Sequence, residues 1–315
     1  MKKIALAENV YWVGAVDWIS RDFHGYSING TTYNAFLIID EKITLIDTVK
    51  KPYKSELLHR IRNIIDPEKI DYLVVNHVEM DHSGCLPEIV EAIRPEKIIC
   101  SKMGHKALLQ HFHQPDWPYH VVSGGEEISL GKRTLNFLET RMLHWPDSMF
   151  TYLKEDQILF TSDAFGEHLA TSERFDDEVE QGVLMHEATK YYANILNLYS
   201  PLVKKLLAKV EEMQLPIRML APDHGVVWRS NPARIIEAYG SWCNQKGNGK
   251  ALVIYDTMWE STRTMAKAVC EGLHDVGVEY KLIDLQVTHR SDAITDILES
   301  SGFVLGSPTL NNGML

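Results

Sequence analysis

Asn76-His77-Val78-Glu79-Met80-Asp81-His82-Ser83-Gly84 places four side chains that can ligate metals, His77, Glu79, Asp81 and His82, within six residues. The stretch directly follows Tyr72 to Val75, an apolar run that reads as a buried strand. A strand ending in such a cluster fixes several ligands on one short turn. Imidazole suits zinc, iron and copper, while carboxylate oxygen suits harder ions. A solvated polar loop is the ordinary reading of residues of this kind. Three more candidates in equivalent places argue against it. His144 follows the expected strand Leu135 to Glu139, Asp163 follows Ile158 to Thr161, and His224 follows Ile217 to Ala221 in the turn Pro222-Asp223-His224-Gly225. Strand ends gathered at one edge of a sheet are where α/β proteins build sites.

Around these positions the pattern alternates. Val10 to Val13 reads as a strand, and Asn34 to Ile39 with Ile43 to Ile46 reads as a β-hairpin. Helical spacing runs over Ser55 to Ile65, Pro87 to Ile93 and Gly104 to Phe112, with a strand at Lys97 to Cys100. A meander over residues 120–161 follows, then helices over His186 to Tyr199, Leu202 to Met213 and Pro232 to Gly240. Asp176 to Gln181 reads as a solvated acidic segment. His105, His111 and His113 read as exposed polar residues rather than a second metal cluster. This is layered α/β architecture.

The Gly-rich polar stretch Asn244 to Lys250 separates two expected domains, 1–246 and 250–315. Beyond it, strands at Ala251 to Tyr255, Glu279 to Asp284 and Phe303 to Gly306 alternate with helices. That is the start of a doubly wound parallel sheet. About 65 residues is short for such a domain, so it is expected to be only the N-terminal part of one.

A formal net charge of −11 argues against a general nucleic-acid binder, because phosphate contacts need Lys and Arg. No stretch is long and apolar enough to span a membrane. The start Met1 to Ala7 is cut short by Glu8 and Asn9, so no export signal is expected. Four dispersed cysteines, without a Cys-x-x-Cys pair, fit a reducing cytoplasm.

The set His77-x-Glu79-x-Asp81-His82, His144, Asp163 and His224 resembles the metallo-β-lactamase superfamily. Hydrolases of that superfamily typically carry His where Glu79 stands. Glu there, with Asp22-Phe23-His24-Gly25, Leu143-His144-Trp145-Pro146-Asp147, Tyr191-Tyr192-Ala193-Asn194 and His224-Gly225-Val226-Val227-Trp228, resembles the flavodiiron proteins, the flavorubredoxin branch above all. A carboxylate in place of imidazole adds negative charge and a hard donor, which favours iron over a Lewis-acid zinc pair. The resemblance implies an αβ/βα sandwich holding two Fe ions. His77, Glu79 and His144 would bind one iron, Asp81 and His224 with His82 the other, and Asp163 would bridge. His24 and Tyr191, or its neighbour Tyr192, would line the gas pocket.

Tyr255 to Thr262 follows a buried strand and opens a helix, and a helix N-terminus is an anion site. It resembles the FMN-phosphate loop of flavodoxins, with Thr257, Met258, Trp259, Glu260, Ser261 and Thr262 as candidates. Ser307, Pro308, Thr309, Asn311, Asn312 and Gly313 resemble the second flavin loop, and the loop that completes the site is expected after Leu315. By resemblance the chain is a cytoplasmic oxidoreductase that reduces O2 to water, NO to N2O, or both. FMN would pass electrons from rubredoxin or a similar carrier, within a head-to-tail homodimer. The alternative from the same fold is a dinuclear zinc hydrolase of the thioesterase or lactonase type.

Overall fold

Tyr72–Val75 forms the strand expected of it, with every residue buried. Such runs need both faces of their sheet covered. The computed structural model describes residues 3–314. Met1 and Lys2, where the start was read as lacking an export signal, and Leu315, the end of the second expected domain, lie outside the described residues.

Tyr72–Val75 lies in a seven-stranded sheet of order Ile4–Ala7, Val10–Trp12, Phe36–Ile38, Thr44–Ile46, Tyr72–Val75, Lys97–Ser101 and Tyr119–Val122. The first four strands pair antiparallel. The remaining joins are parallel and cross over through the helices Lys54–Arg62, Leu86–Ile93 and Lys102–Phe112. A second, five-stranded sheet runs Glu127–Ser129, Thr134–Glu139, Met149–Leu153, Ile158–Phe160 and Met219–Ala221. Its last join is parallel.

Alternation along each strand sends successive side chains to opposite faces. Phe36, Ile38, Val74 and Ile99 meet Phe137, Met149 and Phe160 between the sheets. Leu37, Leu45 and Leu73 face outward onto Leu57, Ile61, Ile89 and Leu108. On the far side Leu138, Phe150 and Leu159 are covered by Leu184, Val203, Ile235 and Tyr239 from the helices Gln181–Tyr191, Ser200–Glu212 and Pro232–Cys243. The layers are helix, sheet, sheet, helix, as expected.

Beyond Ala251 a three-stranded parallel sheet, ordered Tyr280–Asp284, Ala251–Tyr255 and Gly302–Gly306, begins a doubly wound fold. Its helix Arg290–Glu299 is buried on two sides. Ala293 and Ile297 pack on its own sheet, while Leu298 joins the cluster that holds Tyr192 and Trp242.

Two expectations need correction. The helix expected from His186 to Tyr199 starts at Gln181, where the Glu180 carboxylate accepts from the N–H groups of Gly182 and Val183. It ends at Tyr191 and continues as a π turn, Tyr192–Leu196. The acidic segment from Asp176 is not uniformly solvated. Asp176 is buried, and its carboxylate accepts from Arg229 N, Ser230 N, Ser230 Oγ and Asn231 N at the entry to the helix Pro232–Cys243. The fixed donors offset the cost of burying it. Among the described residues no helix is long and apolar enough to cross a membrane.

Phe160 packs tilted against Phe36 between the sheets at 5.0 Å, with both rings fully buried. Phe160→Ala is expected to cost about 3–5 kcal/mol in denaturant unfolding. A loss under about 1 kcal/mol would contradict this account of the core.

Candidate metal centre and flavin loops

The register of the second sheet brings two ligands together. Ile158–Phe160 and Met219–Ala221 pair in parallel with Phe160 opposite Ala221. Asp163 and His224 each follow three residues later, and the Asp223 N–H donates to Ser162 O at 2.8 Å. His144 arrives on the loop between Thr134–Glu139 and Met149–Leu153, which pair as far as Glu139 and Met149. The Met149 N–H donates to Asn76 O, tying that loop to the turn after Tyr72–Val75. Glu79 then precedes a single helical turn, Met80–Ser83, that aims Asp81 and His82 inward.

The seven predicted ligands converge in two groups that share Asp163. His77 Nε2 and His144 Nε2 lie 3.2 and 3.0 Å from Asp163 Oδ2, and Glu79 Oε2 lies 3.3 and 3.2 Å from the same two nitrogens. His82 Nε2 and His224 Nε2 lie 3.2 and 3.5 Å from the other oxygen, Asp163 Oδ1, and 3.2 and 3.1 Å from Asp81 Oδ2. Asp163 thus presents one oxygen to each group. Of these contacts only His77–Glu79 has hydrogen-bond geometry. Both Asp81 oxygens, both His82 nitrogens, His144 Nε2 and Asp163 Oδ1 are buried without a hydrogen-bond partner. Buried polar groups are normally paired. Lone pairs set about 3 Å apart but not aimed at one another fit ligands around a central ion, whose bonds to N and O are about 2.0–2.2 Å. The residues therefore fit two metal ions.

The next layer fixes the tautomers. A carbonyl or carboxylate only accepts, so the ring nitrogen facing it carries the proton. His77 Nδ1 donates to Asp147 Oδ2 at 3.0 Å, and that oxygen also accepts from Val78 N. His224 Nδ1 donates to Thr32 O at 2.6 Å. Each Nε2 is then the ring atom left for metal. His24 Nε2 donates to Glu79 Oε1 at 2.6 Å, leaving Oε2 inward.

Charge follows from these contacts. Burial opposes ionisation of Asp81, yet the facing His82 and His224 hold it well below the usual carboxylate range. Burial opposes protonation of His144, but Asp163 and Glu79 facing it raise it to about 9. In the metal-free protein His144, and His82 raised likewise by Asp81 and Asp163, hold protons that a metal must displace.

The two candidate tyrosines face different ways. The buried Tyr191 ring packs 5.0 Å from His168 and 6.1 Å from His224. Tyr192 points the other way, onto Tyr239 and Trp242, with its hydroxyl 2.9 Å from Ser200 Oγ. A cavity of about 360 Å³ opens beside the cluster, lined by Phe23, Lys50, Lys51, Glu79, Met80 and Asp81.

Sequence reasoning missed Asp147, Asp223, Thr32 and His168. The first two sit inside motifs already singled out: Asp147 bonds His77, while Asp223 faces His82 Nδ1 at 3.9 Å, and a carboxylate near a metal-binding histidine is its usual partner. His168, edge-on to His224 at 4.5 Å and bonded through Nδ1 to Thr31 Oγ1, carries no such signal.

In the second unit Thr257 is buried, and its Oγ1 has no hydrogen-bond partner. The helix Ser261–Asp275 starts there without a side-chain cap, its N-cap Glu260 being left-handed. Unsatisfied donors at a helix N-terminus fit a phosphate. Met258 and Trp259 are exposed, and Thr262 is buried beside Gly306. Thr309–Leu310 and Gly313–Met314 form a hairpin turned by Asn311 and Asn312, both at positive φ, with Ser307 and Pro308 leading into it.

Residues 31–225 match the ODP family of β-lactamase-like domains, and residues 253–315 match flavodoxin. A nitric oxide reductase of Moorella thermoacetica is 49% identical, over 99% of this chain and 79% of that protein. The solved rubredoxin oxygen:oxidoreductase of Desulfovibrio gigas superposes with a TM-score of 0.97 at 45% identity, over 100% of this chain and 79% of that one. The flavodiiron protein of Giardia intestinalis superposes with a TM-score of 0.96 at 36% identity, over 100% and 77%. This chain belongs to the flavodiiron family. Its cofactors are a diiron site and FMN.

Asp147→Ala frees the His77 ring to turn. It is expected to weaken metal binding in that group by about 10–100-fold in chelator competition. Unchanged affinity would contradict the orienting role. Loading the metal-free protein with Fe2+ near neutral pH is expected to release protons, and an isothermal titration showing no buffer dependence would contradict it.

Proposed function

We propose that the chain reduces O2 to water, NO to N2O and water, or both, taking electrons through FMN from rubredoxin or a similar small carrier. The observation that carries this reading is the paired ligand groups sharing Asp163, with Glu79 in the first of them. Its relatives named nitric oxide reductase and rubredoxin-oxygen oxidoreductase support the same reading. They give none to the zinc hydrolase alternative.

His77, Glu79, His144 and Asp163 would hold one iron, and Asp81, His82, His224 and Asp163 the other. Bound irons would supply redox equivalents and Lewis acidity. The chain's own residues do the rest. Asp147 and Thr32 O orient His77 and His224. Phe23, T-shaped against His224 at 5.7 Å, and the buried Tyr191 restrict water on one side of the cluster. His24 holds a proton at Nε2 against Glu79 Oε1 beside the cavity. Each NO reduced to N2O consumes one electron and one proton, and each O2 reduced to water consumes four of each, so a proton held there is useful.

FMN would sit on Thr257 to Thr262 and on the loop from Ser307 to Gly313. The two units would divide within Asn244 to Lys250. In a head-to-tail homodimer the partner's flavin would approach the cavity, where Met80 is half exposed at the rim. The protein would act in the cytoplasm.

The test is gas consumption by full-length, iron- and FMN-loaded protein with reduced rubredoxin. NO or O2 uptake that disappears on zinc substitution is expected. Thioester hydrolysis by the zinc form with no uptake of either gas by the iron form would overturn the proposal. Thr257→Val is expected to weaken FMN binding about ten-fold in fluorescence titration, through loss of a hydrogen bond to a charged group. Unchanged binding would remove Thr257 from the site.

A further inference from the structure

The hairpin that carries His24 is held by three elements at once, one of them from the flavin-binding unit. Two short strands, Asp22–Phe23 and Tyr26–Ser27, pair around a turn at His24 and Gly25, which have φ of 51° and 79°. One end of this hairpin reaches the metal cluster through the His24–Glu79 hydrogen bond and the Phe23–His224 contact. At the other end, the Ser27 N–H donates to Ser291 Oγ at 3.3 Å, and the two hydroxyls lie 3.1 Å apart. Ser291 is buried in the first turn of the helix Arg290–Glu299.

Lys190 closes the junction. It is 7% exposed at the end of the helix Gln181–Tyr191, one residue before Tyr191. Its Nζ donates to Ser27 Oγ at 3.0 Å and to Asp292 Oδ1 at 2.5 Å. The Asn194 amide, on the π turn, donates to Ser291 O at 3.2 Å and to Lys190 O at 2.9 Å. Lysine is seldom buried unless paired, and here both partners lie outside its own helix. Leu298, two turns along the same helix as Ser291, anchors it in the first unit's core.

We propose that Lys190, Ser291 and Asp292 are positioning residues, which make docking of the flavin-binding unit a condition for His24 to stand over Glu79. They touch neither metal nor substrate and act only through the hairpin. The docked helix supplies the charged acceptor, Asp292, that pairs the buried Lys190, and Lys190 with Ser291 holds Ser27. His24, three residues before Ser27 across a tight turn, takes its place from that contact. The role given to His24 rests on the function proposed above, whereas the junction does not.

The test compares Lys190→Met and the milder Ser291→Ala with Asp296→Asn, whose partner Lys281 lies within the flavin-binding unit. All are made in the full-length, iron- and FMN-loaded protein. Hydrogen exchange over residues 20–28 is expected to speed up about ten-fold in the first two, the loss of roughly one charged hydrogen bond in Lys190→Met and of neutral ones in Ser291→Ala, and to be unchanged in Asp296→Asn. NO or O2 turnover is expected to fall with iron and FMN content unchanged, and adding either change to His24→Ala is expected to cause no further fall. Unaltered exchange over 20–28 in both Lys190→Met and Ser291→Ala overturns the junction. Losses that multiply with His24→Ala overturn its action through His24. If His24→Ala alone leaves turnover intact, the role of His24 fails while accelerated exchange still supports the junction.

Discussion

Asp163 is the constraint on which the rest of the site depends. Its carboxylate is buried in the first unit, and it offers one oxygen to His77 and His144 and the other to His82 and His224. A buried carboxylate is costly unless it is paired or bound to metal. Four imidazoles from three different loops therefore have to be delivered to one point. The two-sheet sandwich does this because the strands carrying those loops end at a common edge, with Phe160 and Ala221 in register.

The same economy explains the second layer. His77 and His224 spend their outer nitrogens on a carboxylate and a carbonyl, and Glu79 spends its outer oxygen on His24. Each inward atom is thereby aimed at its group. Redox chemistry at such a centre needs electrons from outside. The chain carries the means in a second unit whose helix Arg290–Glu299 packs into the first through Leu298 and the Lys190 junction.

Much of this was legible in the sequence. The strand Tyr72–Val75, the hairpin Phe36–Ile38 with Thr44–Ile46, and the parallel start after Ala251 followed from apolar runs and their spacing. All seven predicted ligands lie in the converging groups, because a ligand at a strand end announces itself by residue type and position together. What stayed hidden depended on long-range contact. Asp176 looked like surface until the backbone donors of residues 229–231 were seen to reach it. Tyr191 and Tyr192 could not be told apart, since the π turn that follows Tyr191 leaves no local pattern. His168 and Lys190 are single polar residues whose partners lie far away in the chain.

On the proposed reading, two irons would be held with Asp163 shared between their ligand groups. Mössbauer spectroscopy of the 57Fe-loaded, oxidised protein addresses it directly, alongside iron content per chain. A pair of ferric ions coupled to a diamagnetic ground state, which Asp163→Ala abolishes, is the predicted result. A single iron per chain, or two irons that are magnetically independent in the unaltered protein, would contradict it.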